Sequence, residues 1–276
     1  MGPVLQEILK TGFADGVSVP LRSQITTAEG EFLQSIIKGI QPQVCLEVGL
    51  AFGISALFIR EALDPRCRYI AIDPFQHHHW HGIGLTNLRR AGYDVEFYEE
   101  ASQATLPRLW ADGLTIDFAF IDGMHTFDHA LVDFFYIDRM LRVGGVVAID
   151  DANWPSLHKL CRFILTNRAY RVYGHCRSAS RQVRQTARLT ARRAALSFST
   201  VYGLGRSTSR QVRQAARLTA RRAALSFLTV VPTCIKCHLK PEWHRPDELF
   251  GLTYARLILL TKQAEDGRRE NFHQVF

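Results

Sequence analysis

Short apolar runs alternating with amphipathic segments predict an α/β fold: a Rossmann-like, doubly wound parallel sheet with helices on both faces. Three observations carry this. The runs Val44–Val48, Tyr69–Asp73, Asp117–Ile121 and Val146–Ile149 have the length and composition of buried parallel strands. Each is followed by a segment with helical periodicity. Several of the runs end in acids: Asp73, Asp122, and the neighbouring Asp150 and Asp151. Carboxylates at strand ends stand on the sheet edge where open α/β folds bind ligands.

Taken in order, Val4–Gly12 predicts a short helix. Thr27–Gly39 predicts a longer one, with Thr26 or Thr27 as cap and Phe32, Leu33, Ile36 and Ile37 on its apolar face. Strand Val44–Val48 is followed by helix Ser55–Leu63, and strand Tyr69–Asp73 by helix Leu85–Ala91. Strand Val95–Tyr98 precedes a short helix Leu106–Ala111, and strand Asp117–Ile121 precedes the long helix Thr126–Leu141. Strand Val146–Ile149 leads to helix Ser156–Thr166 after Pro155, and the reading closes with strands Tyr170–Tyr173 and Leu257–Thr261.

The 276 residues, 47% of them hydrophobic, suffice for one large α/β domain with an addition. The start lacks a basic and then apolar leader, and no apolar run reaches the ~18–20 residues of a membrane span. The expectation is a cytoplasmic protein with six reduced cysteines.

The net charge of +8 is unevenly distributed. Residues 172–229 contain 12 Arg and no Lys, Asp or Glu; setting those 12 aside from 34 basic residues leaves 22 against 26 acidic, a net of −4. This stretch is a tandem repeat. Val172–Thr200 and Val201–Thr229 align at a period of 29 residues and differ at five positions. Each copy predicts a helix capped by Ser180 or Ser209, with Arg181, Arg184, Arg188 and Arg192 on one face. Two readings stand. One is a basic surface for nucleic acid, anionic lipid or an acidic partner; the other is a solvated helical hairpin inserted into the domain. No aromatic residues interleave with the Arg to stack bases, which favours the second. The expected domains are residues 1–171 with 230–276, and the insertion 172–229.

The run Leu46–Ser55, LEVGLAFGIS, places Gly49 and Gly53 at a tight turn after the first central strand. Its Gly-x-x-x-Gly spacing, with Ala51 in the middle, departs from the dinucleotide fingerprint and argues against a nicotinamide oxidoreductase. Asp73 can accept hydrogen bonds from ribose hydroxyls. Ser102 and Gln103 put polar groups where an adenine edge could be read, or form an ordinary polar turn. Asp122, Asp150 and Asp151 offer hard oxygen ligands for Mg²⁺ or a similar cation; taken singly, each could equally be a cap or a solvated turn residue.

On these residues the chain resembles the class I S-adenosylmethionine-dependent O-methyltransferases. It is similar to the cation-dependent group that includes catechol and caffeoyl-CoA O-methyltransferases, and within it to the bacterial sugar and macrolide branch. The resemblance rests on Leu46–Ser55, on Ala101-Ser-Gln103 with Leu106-Pro107, and on the 28-residue interval from Asp122 to Asp150. It implies seven strands with the last antiparallel, and a homodimer. It implies that Glu47, Gly49, Gly53 and Ser55 surround the methionine part of S-adenosylmethionine, that Asp73 holds the ribose, and that Ser102 and Gln103 meet the adenine. Asp122, Asp150 and Asp151 would bind a divalent cation, of the Mg²⁺ kind. Two departures stand out: Asp151 where catechol-type enzymes have Asn, and His125 where they have a lysine base.

The reaction so implied is O-methylation of a small hydroxylated acceptor: a sugar, a polyketide or a phenol. A cation would acidify the acceptor hydroxyl, and His125, at a strand-to-helix turn three residues past Asp122, would take the proton or else cap the helix or orient a carboxylate. His77–His81 reads as a lid loop with Trp80 as a packing ring rather than a metal site. Cys234, Cys237 and His238 spell a haem-attachment pattern that reads as coincidence, and His244 as a fourth zinc ligand is weakly supported. Asp128, Asp133 and Asp138 read as solvated or paired. The rival in another class is a nucleic-acid-binding protein, or nucleic-acid methyltransferase, that uses the Arg repeat.

Overall fold

The computed structural model describes residues 1–14, 17–18, 24–177 and 255–268. The chain divides into a unit of Met1–Arg177 with Asp247–Phe276 and a unit of Ser178–Pro246. Everything below belongs to the first. The expected repeat helices with their Ser180 and Ser209 caps, and Cys234, Cys237, His238 and His244, lie outside the described residues.

The chain opens with helix α1 (Pro3–Thr11) and a two-residue hairpin, β1 (Phe13–Ala14) with β2 (Val17–Ser18), which has no counterpart in the expected elements. Helix α2 (Thr27–Ile40) starts at a capping box: Thr26 Oγ1 accepts from the Glu29 amide, and the Thr26 amide donates to Glu29 Oε2 at 2.7 Å. The α/β core then runs β3 (Val44–Val48), α3 (Ile54–Ala62), β4 (Arg68–Ile72), α4 (Ile83–Arg90) and β5 (Glu96–Tyr98). It continues with α5 (Ser102–Ala111), β6 (Ile116–Ile121), α6 (Phe127–Met140), β7 (Leu141–Ile149) and α7 (Pro155–Asn167). Strands β8 (Tyr170–Arg177) and β9 (Ala255–Lys262) complete it.

The large sheet has seven strands in the order β5-β4-β3-β6-β7-β9-β8. Strands β3 to β7 pair in parallel, whereas β9 runs antiparallel to both β7 and β8. The order reverses between β3 and β6, which opens the ligand crevice of a doubly wound sheet at their carboxyl ends. One face buries Cys45, Phe118, Phe120 and Leu259 with Leu33 of α2 and Phe58 of α3. The other buries Leu46, Ile70, Ile121 and Ile258 with Leu106 of α5, Phe134 of α6 and Leu160 of α7. Alternate residues of each strand thus serve opposite layers, as period two requires. Among the described residues no helix is long and apolar enough to cross a membrane.

Three boundaries differ from expectation by four residues or more, the rest by one or two. Helix α5 begins at Ser102 rather than Leu106: Pro107, the second residue of the expected helix, is the sixth of the observed one, and the N-cap Ala101 makes no side-chain cap that the sequence could reveal. Strand β7 begins at Leu141, because Gly144 at φ +82° and Gly145 bend the strand without ending it. Strand β8 runs on from Tyr173 to Arg177, so the first residues of the first repeat copy continue the sheet.

Candidate active site

The sheet register lines up the strand ends. Val48 stands opposite Ile72 and Ile121, Ile72 opposite Tyr98, and Ile121 opposite Ile149. The next residue of each strand therefore emerges at one level: Gly49, Asp73, Asp122 and Asp150. Their amides extend the ladders, donating to Ile72, Tyr98, Val48 and Ile121 carbonyls at 2.8–3.1 Å. Strands are ~4.8 Å apart, so this row brings a glycine turn and three carboxylates into one crevice.

The glycine turn has little freedom. Gly49 sits at φ +92°, and a Cβ there would overlap the Asp122 carbonyl oxygen. Gly53 sits at φ +73°, and a Cβ there would lie 2.9 Å from the Gly84 carbonyl oxygen. Asp73 Oδ2 accepts from the Leu50 and Ala51 amides at 3.0 and 2.7 Å, and Oδ1 accepts from the Phe75 amide at 2.8 Å. Asp73 thus braces the turn, with three of its acceptor sites taken by backbone. Gln76, fully buried, donates to the Ala51 carbonyl and accepts from the Gly84 amide. Glu47 accepts from Ser55 Oγ at 2.5 Å and from the Tyr69 hydroxyl. Burial pushes its pKa up to about 8, against the lowering effect of both hydrogen bonds.

At the start of α5, Ser102 is half-buried and Gln103 exposed. The Ser102 hydroxyl bonds to Asp133 of α6. Asp133 is 1% exposed and its Oδ1 has no partner, so it is not solvated as expected, and its bonding partner is a hydroxyl rather than a cation. Burial pushes its pKa up to about 6. The expectation failed because the α6 face that carries Asp133 turns inward, against Gly123. Asp128 is exposed and Asp138 is ion-paired, as expected. In the histidine run, Trp80 packs edge-on against Phe52 at 5.0 Å, and His77 pairs with Glu99.

On the other side of the crevice, His125 Nε2 lies 3.2 Å from Asp122 Oδ1 and 3.6 Å from Asp151 Oδ2. The hydrogen bond to Asp122 raises the His125 pKa. The Ser156 hydroxyl donates to the His125 carbonyl at 2.6 Å, which fixes the turn that presents the imidazole. Asp151 adopts a left-handed φ of +46°, tolerated by Asp more than by most residues. Asp150 is 2% exposed, and its Oδ1 has no hydrogen-bond partner. Burial first, then Asp122, Asp151 and Glu29, raise its pKa well above the carboxylate range. Burial likewise raises Asp122, opposed by His125.

Two residues that sequence reading missed complete the cluster. Arg256 Nε lies 3.1 Å from Asp151 Oδ1 and 3.4 Å from Glu29 Oε1, and Arg256 Nη2 donates to the Gln24 carbonyl at 3.2 Å. The Thr26-x-x-Glu29 capping signal was present in the sequence; nothing local announced Arg256. The donor chemistry of Asp122, Asp150 and Asp151 suits a hard cation. Their present arrangement does not form a cage: among the described residues no three His, Cys, Asp or Glu side chains converge on a point that a metal ion could take. Two of the three acids face His125 and Arg256 instead.

Residues 46–152 match the profile of a family described as a methyltransferase domain. The chain is 27% identical over 129 residues to flavonoid 3′,5′-methyltransferase of Vitis vinifera, covering 46% of this chain and 54% of that protein. It is 25% identical over 133 residues to caffeoyl-CoA O-methyltransferase of Petroselinum crispum, covering 46% and 53%. The chain thus spans about half the length of these curated relatives. In fold it resembles the O-methyltransferase from Bacillus cereus solved in complex with SAH, with a TM-score of 0.55 at 18% identity over 64% of this chain and 85% of that one. It also resembles O-methyltransferase TomG from Streptomyces achromogenes, solved with SAM, with a TM-score of 0.54 at 18% identity over 64% and 84%. Over residues 46–152 the chain is thus similar to methyltransferase domains, and its fold is that of the O-methyltransferases solved with SAM and SAH.

Proposed function

We propose that this protein transfers a methyl group from S-adenosylmethionine to a hydroxyl oxygen of a small acceptor. One observation carries the reading: the glycine turn touches the strand that presents Asp122, so a donor bound over Gly49 would adjoin the Asp122–His125–Asp151 cluster. The cofactor supplies an electrophilic methyl on a sulfonium, and the protein supplies position and an ionised acceptor. The braced turn at Gly49–Gly53 would receive the methionine part, with Glu47 and Ser55 behind it. Asp73 would offer its remaining acceptor capacity to the ribose, and Ser102 and Gln103 would border the adenine. His125, oriented by Asp122 and Asp151, would take the acceptor proton.

A divalent cation of the Mg²⁺ kind would be held by Asp122, Asp150 and Asp151. When bound, such an ion lowers the pKa of a coordinated hydroxyl. The unpartnered Asp150 Oδ1 is the observation that favours it.

The acceptor side is apolar. Met124 and Trp154 are 55% and 48% exposed, and the Trp154 ring lies 5.2 Å from His125. A flat, hydroxylated ring of phenolic or polyketide origin fits that platform better than a sugar, which would want more hydrogen-bonding side chains. A homodimer is part of the same proposal. The nucleic-acid reading rests on residues outside those described, and no observation favours it.

Calorimetric titration with S-adenosylmethionine, with and without Mg²⁺, tests the reading when combined with turnover on simple phenols. The parent should bind the cofactor and turn over. Asp150→Ala should keep cofactor binding and lose turnover. Failure of the parent to bind S-adenosylmethionine would overturn it.

A further inference from the structure

The acidic cluster contains four carboxylates, Glu29, Asp122, Asp150 and Asp151, and two side chains that can balance them, His125 and Arg256. Two of the carboxylates hold unpartnered buried oxygens: Asp150 Oδ1 and Glu29 Oε1, on residues 2% and 1% exposed. Glu29 Oε1 is 3.4 Å from Arg256 Nε, within ion-pair range but without a hydrogen bond. The same Nε lies 3.1 Å from Asp151 Oδ1. One N–H therefore faces two competing acceptors, bonded to one and adjacent to the other. The backbone of Arg256 is fixed, because its carbonyl accepts from the Ala152 amide at 2.8 Å. Only the guanidinium end need move to exchange partners.

Of the three carboxylates of suitable chemistry, Asp151 is the one bonded to Arg256. Asp151 is held by a resident cation. A divalent ion entering between Asp122 and Asp150 would repel that guanidinium, and Glu29 offers it a second carboxylate without any loss of pairing.

We infer that Arg256 is a positioning residue that holds Asp151 away from the cation site, and that the site loads a divalent ion when Arg256 passes from Asp151 to Glu29. The inference rests on the metal-assisted reading above and adds a residue to it. Loss of a side chain that merely supports the fold would weaken ion binding by loosening the site. Removing a positive charge that competes for Asp151 should strengthen it.

The test is Mn²⁺ binding to the full chain without cofactor, followed by the paramagnetic signal of free Mn²⁺ and by calorimetry. Arg256→Gln should bind Mn²⁺ roughly tenfold more tightly than the parent, the change expected on removing one nearby like charge at a partly buried site. Arg256→Lys, which keeps the charge, should stay near the parent; a purely structural role would affect both variants alike. Glu29→Gln should bind Mn²⁺ several-fold more weakly, because Gln preserves the capping box but leaves Arg256 with Asp151 as its only carboxylate. S-adenosylmethionine titration and thermal unfolding establish that each variant is folded. Equal or weaker Mn²⁺ binding by Arg256→Gln would overturn the role of Arg256 and leave the metal reading intact. Absence of Mn²⁺ binding in the parent and every variant, with cofactor binding retained, would overturn both.

Discussion

Strand β9 carries a cation near each end, and the two ends have opposite characters. At the far end Lys262, 1% exposed, donates to the Asp138 and Leu141 carbonyls at 2.7 and 2.8 Å and pairs with Glu265 at 2.6 Å. Asp138 lies in the same group, accepts from the Tyr170 hydroxyl and sits near Arg168, which also pairs with Asp266. At the near end Arg256 faces more carboxylates than it can bond, and Asp150 and Glu29 keep unpartnered oxygens. The first cluster is the more fully compensated: its Lys262 bonds two carbonyls and a carboxylate, while Arg168 Nε and Nη1 are ion-paired to Asp138 and Asp266 without hydrogen bonds. The second is under-compensated, the condition in which a buried polar group signals a ligand or a reaction.

The sharpest way to break this contrast is to exchange the effects of the two ends. His125→Ala at the near end should lower methyl transfer by about 10²–10⁴-fold, the usual contribution of a general base, with little change in unfolding temperature. Single-turnover assays beside thermal scans would show it; an equal loss of stability would place His125 with the structural groups. Lys262→Met at the far end should show the converse. Breaking a buried pair on one side costs about 3–5 kcal/mol, read as a lower urea midpoint, while cofactor affinity of the folded protein stays unchanged.

Asp133 gives a smaller and pH-dependent effect. Its pKa in the folded protein, about 6, lies above its ordinary value. The stability it contributes is therefore complete below pH ~4 and lost as pH rises through ~6. Asp133→Asn should match the parent in acid and exceed it by about 2 kcal/mol at neutral pH, measured as urea unfolding at a series of pH values. The smallest effect is expected for Thr26→Ala, which removes half of the capping box. It should cost about 1 kcal/mol in unfolding free energy. By loosening Glu29 it should also shift the ion affinity of the near cluster, which no far-end substitution should do.

How much of this was readable in the chain depends on range. The alternation of strand and helix gave the sheet, because period two and period 3.6 are local properties. The glycine turn, Asp73, Asp122 and Asp150 were readable because each directly follows an apolar strand, and parallel register then sets them side by side. The inward turn of Asp133 was not readable, since it depends on which face of α6 meets Gly123. Arg256 was beyond reach for a different reason. It begins a strand separated from its partners by residues 178–254, and only the antiparallel register of β9 brings it to Asp151. Ser102 as the true start of α5 was hidden by Pro107, whose usual place is the first turn.

The pairing of β8 with β9 has one more consequence. The ladder sets Arg177 opposite Ala255, so the chain leaves the sheet and rejoins it at neighbouring positions. Where the two ends of an insertion are held at adjacent points, the closure cost of a longer connection grows slowly, about 0.6 kcal/mol for each doubling. Tandem copying of 29 residues at that junction could thus be accepted without rebuilding any strand. It is the kind of seam at which genes can lengthen a protein while natural selection on the core sees almost nothing.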